Sequence, residues 1–381
     1  MRVLLFTGKG GVGKTTLAAA TAAGLAGRGG KTLVVSTDPA HSLGDAFGTT
    51  LGAEPAEVDT CLHGAQIDSR ALADDTWHTL RSQLRSALVS TAGIDTLAAE
   101  ELTVLPGVDE LLALTEVRRL AETGVWENVI VDCGPTAETL RLLALPEAVG
   151  GFLRRAYGRK SRLSSVARSV ERLAAHVESL RGMLTDPQVT AVRLVLTPER
   201  VVVAETRRTL TALALRGIRV DGLIANRLMP APGLWRGSAA SWLRTRREQQ
   251  ERVLAELTAS GLAEELLSSV EHRAAEPVGL PALLEIAREL YGDRSPLLGS
   301  GSTETAPLLQ VSEVDNGFTL RVAVPLARDS AIDLARVGDD LAITVDGHRR
   351  LIALPEALRH CVLADAESDS LGLLLHLEGS R

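Results

Sequence analysis

Residues 3–16 read Val3-Leu-Leu-Phe-Thr-Gly-Lys-Gly-Gly-Val-Gly-Lys-Thr-Thr16, and this stretch decides the fold. A short apolar run ends in a glycine-rich turn, and an alanine-rich segment follows. That order predicts a strand, a phosphate loop and a helix. The pattern G-x-x-x-x-G-K-[ST] is met by Gly8, Gly13, Lys14 and Thr15. Glycines let backbone N–H groups turn toward phosphate oxygens, and a helix N-terminus adds positive potential. Gly8, Gly10, Gly11, Val12, Gly13, Lys14, Thr15 and Thr16 are therefore the candidate cradle for ATP. Lys14 is expected to reach the β and γ phosphates, and the Thr15 hydroxyl to hold Mg²⁺.

Composition sharpens this reading. The chain has four lysines, Lys9, Lys14, Lys31 and Lys160, and its other basic residues are arginines. Two of the four sit in the loop, where a compact ammonium meets phosphate as a point charge that a planar guanidinium does not replace. Lys9, at the second position of the loop, resembles the signature lysine of the deviant Walker A ATPases. The resemblance implies that Lys9 crosses a dimer interface to the partner's nucleotide, so that a homodimer buries ATP between its subunits. The plain alternative is a solvated lysine at a turn.

At 381 residues two domains are the natural count. The chain is 45% apolar but only 3% aromatic, so its core must be aliphatic. A net charge of −7 argues against a general nucleic-acid binder. Met1 to Phe6 is too short for a signal peptide, and no apolar run is long enough to span a membrane. Cys61, Cys133 and Cys361 are sparse and widely spaced, which does not read as a disulfide framework; a cytoplasmic protein is expected.

Beyond the loop, Leu17 to Gly27 reads as a helix and Lys31 to Ser36 as the next strand, ending at Thr37-Asp38-Pro-Ala-His-Ser42. Ligands of open α/β sheets bind beyond the carboxyl ends of strands, which puts Asp38 near a γ-phosphate. Residues 52 to 125 are mostly helical in pattern. Val129-Ile-Val-Asp132 is a strand ending in a carboxylate, and Asp132 is the second candidate Mg²⁺ residue.

Residues 8 to 16 with 37 to 47 resemble the arsenite-pump ATPase (ArsA) family, which includes ATPases that target tail-anchored membrane proteins. The resemblance implies that Asp38 positions or deprotonates the attacking water, close to the metal. It also implies that Asn226, ending the strand Val220 to Asn226, reads adenine, with Pro277 flanking the base. A side-chain amide offers donor and acceptor to that edge, although a turn-forming asparagine reads equally from the residues. The segment from Cys133 departs from the family's D-T-A-P-T-G-H-T: Cys133-Gly134 replace Thr-Ala, Ala137-Glu138 replace Gly-His, and Pro135-Thr136 remain.

Leu163, Val166, Val170, Leu173, Val177, Leu180 and Leu184 form a stripe at alternating spacings of three and four. It packs on the chain's own helices or walls a groove for a hydrophobic client. Such grooves in targeting relatives are often rich in methionine, and this chain has only Met1, Met183 and Met229. Residues 235 to 268 look like a helical hairpin, and Ala282 to Tyr291 like a closing helix. Residues 299–307 are linker-like, and 308–381 switch to alternating strands, with Asp346-Gly347 as a turn. That segment resembles the α-crystallin-like domain of small heat-shock proteins.

The expected architecture is an α/β parallel-sheet P-loop domain with a helical subdomain over 1–298, a linker over 299–307 and an all-β sandwich over 308–381. The expected function is a Mg²⁺-dependent, dimeric ATP hydrolase that switches with its nucleotide and acts on hydrophobic protein segments. The alternatives are an ATPase that energises arsenite or anion transport, a partitioning ATPase, and a nucleotide-binding scaffold.

Overall fold

The structure is a computed structural model that describes residues 1–38, 42–67, 108–134, 175–176, 178–231, 233–234, 236–259, 266–297, 309–314, 317–322, 330–369 and 372–379. They form two compact units, Met1–Ala191 with Glu276–Pro296, and Val192–Ala275 with Leu297–Arg381.

The first unit opens with β1 (Arg2–Thr7), α1 (Lys14–Ala26), β2 (Thr32–Ser36) and α2 (Ser42–Phe47). An antiparallel hairpin follows, β3 (Ala56–Asp59) and β4 (Leu62–Gln66), then α3 (Val108–Glu122) and β5 (Asn128–Asp132). Strand order is β3-β4-β2-β5-β1. The β4–β2, β2–β5 and β5–β1 pairs are parallel. Strands β1, β2 and β5 are runs of Val, Leu and Ile buried nearly throughout, as a sheet covered on both faces requires. Register sets Asp132 opposite Phe6 on one side and Ser36 on the other. The carboxyl ends of three adjacent strands therefore finish level, where the glycine-rich loop begins.

The hairpin corrects the helical expectation for residues 56–66. Its turn places Cys61 at φ 62, and β4 pairs with β2 along its whole length. Pairing to a distant strand outweighs a weak local pattern. The apolar stripe of 163–184 lies mostly outside the described residues. A helix covers 178–185, and its Leu180 and Leu184 are buried.

The second unit carries β6 (Thr190–Leu196) from Val192 onward, then α4 (Arg200–Leu215), β7 (Val220–Leu228), α5 (Ser238–Thr258) and β8 (Leu267–Glu271). Pairs β6–β7 and β7–β8 are parallel. Where a helical hairpin is expected over 235–268, the described residues form one helix and then the start of β8. Strand β8 pairs with β7 and buries only Val270, so Leu-Ser-Ser-Val-Glu lacks the apolar run that marks an inner strand. Buried Arg193 and Asp221 tie β6 to β7 by two bonds, Nε to Oδ1 at 3.1 Å and a terminal nitrogen to Oδ2 at 2.7 Å.

Helix α6 (Leu280–Tyr291) returns to the first unit and packs along α1, where the Thr21 and Tyr291 hydroxyls meet at 2.7 Å. Helix α1 is apolar on nearly every side, as befits a helix between a sheet and another helix.

The remaining strands are β9 (Leu309–Val314), β10 (Gly317–Val322), β11 (Ile332–Val337), β12 (Asp340–Val345), β13 (His348–Ala353), β14 (Cys361–Asp369) and β15 (Gly372–Gly379). They make two antiparallel sheets, β14-β15-β10-β9 and β11-β12-β13. Asp346 and Gly347 both take positive φ, 50° and 83°, which suits the two-residue turn that joins β12 to β13. The buried cluster of these sheets includes Leu320, Ile343, Ile352, Leu358 and Leu375, and also Leu215 from the end of α4. On the same side, burial and the Arg216 guanidinium lower the pKa of His348; Asp346 opposes them and Arg208 of α4 adds to them.

Candidate nucleotide site

The loop between β1 and α1 is held at Val12, which is buried, while Lys9, Gly10 and Gly11 are exposed. Gly11 at φ 76° and Gly13 at φ 95° take the left-handed conformation that glycine adopts without strain. A Cβ at Gly10 or Gly11 would meet no atom within 4 Å, so open space lies over the loop. Gly13 starts α1 without a side-chain cap, which leaves first-turn N–H groups available to an anion.

Lys14, the first residue of α1, is only 6% exposed, and its Nζ donates to the Lys9 carbonyl at 3.4 Å. The ammonium is thus folded back into its own loop. Thr15 Oγ1 donates to Asp132 Oδ2 at 2.7 Å and lies 3.1 Å from Ser42 Oγ. Ser36 Oγ donates to the same Oδ2 at 3.2 Å. Asp132 is fully buried, and its Oδ1 has no hydrogen-bond partner among the described residues. Burial pushes its pKa up to about 6, against the Thr15 hydrogen bond and the Lys14 charge; Asp38 adds to the rise and the Ser36 hydrogen bond opposes it.

A buried carboxylate with an orphaned oxygen, ringed by hydroxyls and one ammonium, fits Mg²⁺. The donors are all oxygen, and such a metal takes few protein ligands beside substrate phosphate and water. Among the described residues no cluster of three His, Cys, Asp or Glu could hold a metal by itself. Thr15 and Asp132, placed at the metal by sequence, are brought together. Asp38 is close enough to raise Asp132, and its backbone N–H donates to Ser36 Oγ at 3.3 Å. Ser36 and Ser42 were given no role by sequence. Their signal was position: Ser36 ends a strand in register with Asp132, and Ser42 closes the Asp38–Ser42 stretch.

Pro277 is half-buried just ahead of α6, in the unit that holds the loop, and Gly279 N–H donates to Ala46 O of α2 at 2.9 Å. Asn226 belongs to the other unit. Strand β7 runs two residues past it, and its Oδ1 accepts the N–H of Arg227 at 2.9 Å. Arg227 has φ 59°, so this bond supports an unusual backbone turn. Of the altered switch residues, Ala137 and Glu138 lie outside the described residues and Cys133 and Gly134 lie within them. Cys133 is buried, and burial raises its thiol pKa. Cys61 and Cys133 are in the first unit and Cys361 is in the second. Among the described residues no helix is long and apolar enough to cross a membrane.

Comparison with known proteins agrees with this geometry. Residues 1–292 match the family model described as anion-transporting ATPase, and residues 315–373 match an HSP20-like domain found in ArsA. Protein Rv2184c of Mycobacterium tuberculosis is 37% identical over 96% of this chain and 93% of its own length. The "Putative arsenical pump-driving ATPase" of Chlorobaculum tepidum is 32% identical over 96% and 93%. The ATPase GET3C of Arabidopsis thaliana is 28% identical over 73% of this chain and 79% of its own length. Its P-loop part and its β sheets both matched, this chain is an ATPase of the ArsA family that carries the family's HSP20-like domain.

Proposed function

We propose that two copies of this chain close around ATP and Mg²⁺, hydrolyse the γ-phosphate bond and use the change to energise anion transport by a membrane partner. The observation that carries the site is the Thr15–Asp132 hydrogen bond beside an orphaned carboxylate oxygen, one residue from the buried Lys14. When bound, Mg²⁺ would neutralise phosphate charge, held by Thr15 and Asp132 with Asp38 close by. Lys14 would leave the Lys9 carbonyl for the β and γ phosphates. Asp38 would orient the attacking water and take its proton as the water oxygen bonds phosphorus and the bond to the ADP oxygen breaks. Lys9, exposed on the loop, would reach the partner's phosphates. By the family resemblance Asn226 would read the adenine edge, once it releases Arg227. We assign the ATPase part to 1–298 and the β part to 308–381, joined by 299–307.

For the output, the names of the matched family and of the Chlorobaculum relative support anion transport over protein targeting. The cysteines give no support to arsenite capture by this chain's own thiols, since Cys133 and Cys361 are buried. The ion would then be gripped by the partner. A second reading, a switch that shields hydrophobic segments, is favoured by the HSP20-like match over 315–373. Phosphate release by the purified protein, with its membrane partner and with arsenite or a hydrophobic peptide added in turn, separates the two. Stimulation by anion only when the partner is present supports transport. Stimulation by peptide alone would replace it with the second reading.

A further inference from the structure

An open pocket of about 430 Å³ lies in the second unit between the first turn of α4 and the middle of α5, with Glu199, Arg200, Gln249 and Arg252 exposed at its rim. It is built from none of the P-loop residues. Arg200, Arg246 and Arg252 line it, with Gln249 and Gln250, and Glu199 is the one carboxylate. None of the three guanidinium groups is in an ion pair among the described residues. Elsewhere on α5 the ordinary arrangement holds: Arg247 meets Glu251 at 2.6 Å and Glu271 at 3.0 Å. Three arginines gathered without carboxylate partners run against the grain of a chain with net charge −7. They make a local positive potential where the molecule as a whole is acidic.

One wall is fixed. Gln250 is buried; its Oε1 accepts the Met229 N–H at 2.7 Å, and its Nε2 donates to Arg227 O at 3.1 Å. That pins α5 to the chain leaving β7 and holds Arg246 and Arg252 on a set surface. The opposite wall is the start of α4, where Glu199 makes no side-chain cap and first-turn N–H groups add to the positive field. The pocket's volume is that of a small-molecule site. Planar guanidinium forks suit the oxygens of phosphate, bonding two at a time.

We propose that this pocket binds a small phosphate-bearing ligand, at a site additional to the P-loop. Two sources share that chemistry, a free phosphate chain and a nucleotide. The test uses the full chain with saturating ADP and Mg²⁺ and calorimetric titration with inorganic tripolyphosphate, then with AMP. The expected result is one site for tripolyphosphate, weakened about tenfold or more by Arg246→Gln with Arg252→Gln. Arg200→Gln, on the other wall, should weaken it independently, while ADP affinity stays as in the parent. AMP binding with the same arginine dependence assigns the ligand to nucleotides, and its absence assigns it to free phosphate chains. The arginines define the site, so a failure of the P-loop reading would not imitate this result. Phosphate binding that ignores all three substitutions would overturn the proposal. So would arginine-dependent binding of a hexaglutamate peptide with neither phosphate probe bound.

Discussion

Thr15 and Asp132 stand 117 positions apart in the chain and meet at 2.7 Å, hydroxyl to carboxylate, at the mouth of the glycine-rich loop. The hydroxyl satisfies one carboxylate oxygen and leaves the other buried without a partner among the described residues. A buried charge of this kind is costly in the absence of metal, and the raised pKa of about 6 expresses that cost.

A stability prediction follows from the sign of that shift. The unfolded carboxyl titrates near 3.8 and the folded one near 6, so the stabilising contribution is complete below the lower value. It is lost as pH rises through the upper one. In Mg²⁺-free buffer, Asp132→Asn should be more stable than the parent at pH 7 by up to about 3 kcal/mol, and the difference should vanish near pH 4. Urea unfolding across that range measures it. The same variant should lose about 10- to 100-fold in Mg²⁺ affinity. A pH-independent difference between the two proteins would remove the buried-charge explanation.

Leu215 makes a second prediction. It ends α4 yet sits in the buried cluster of the C-terminal sheets. Leu215→Ala should cost about 2–5 kcal/mol. Hydrogen exchange should quicken in β12 and β13 while β1 and β5 keep their protection. Equal loosening of all four strands would show that the cluster is not a local unit.

How much of this was legible in the sequence depended on distance along the chain. The loop from Gly8 to Thr15 is local, with its glycines, its lysine and its helix all within one stretch. Asp132 was legible because a buried strand ending in a carboxylate is also a local pattern. The β3–β4 hairpin was not, since its stability comes from pairing with β2 rather than from its own residues. Strand β8 was missed for the same reason. Ser36 and Ser42 look like ordinary turn serines until register brings Asp132 beside them. Leu215 reads as one apolar position of an amphipathic helix; nothing nearby says that strands beginning beyond residue 309 will cover it. Asn226 illustrates a position where two readings were open, and the bond from Arg227 displays the turn-supporting one.

Lys14→Ala should abolish hydrolysis while leaving the fold intact. The side chain donates one long hydrogen bond within its own loop, and losing its charge should push the Asp132 carboxyl further up without unfolding the domain. Phosphate release and a thermal melt check both halves. Full turnover by the purified variant would refute the P-loop assignment.

The central claim is that each copy lends Lys9 to the other's nucleotide. The direct measurement is phosphate release from an equimolar mixture of Lys9→Ala and Lys14→Ala proteins, each inactive alone. In a mixed dimer, the Lys9→Ala subunit keeps its own Lys14 and receives Lys9 from its partner, so one of the two sites is whole. With random exchange between two-fold dimers, the mixture should regain about a quarter of parental activity. A mixture that stays as inactive as its components, or a Lys9→Ala protein that hydrolyses ATP at the parental rate, would contradict the account.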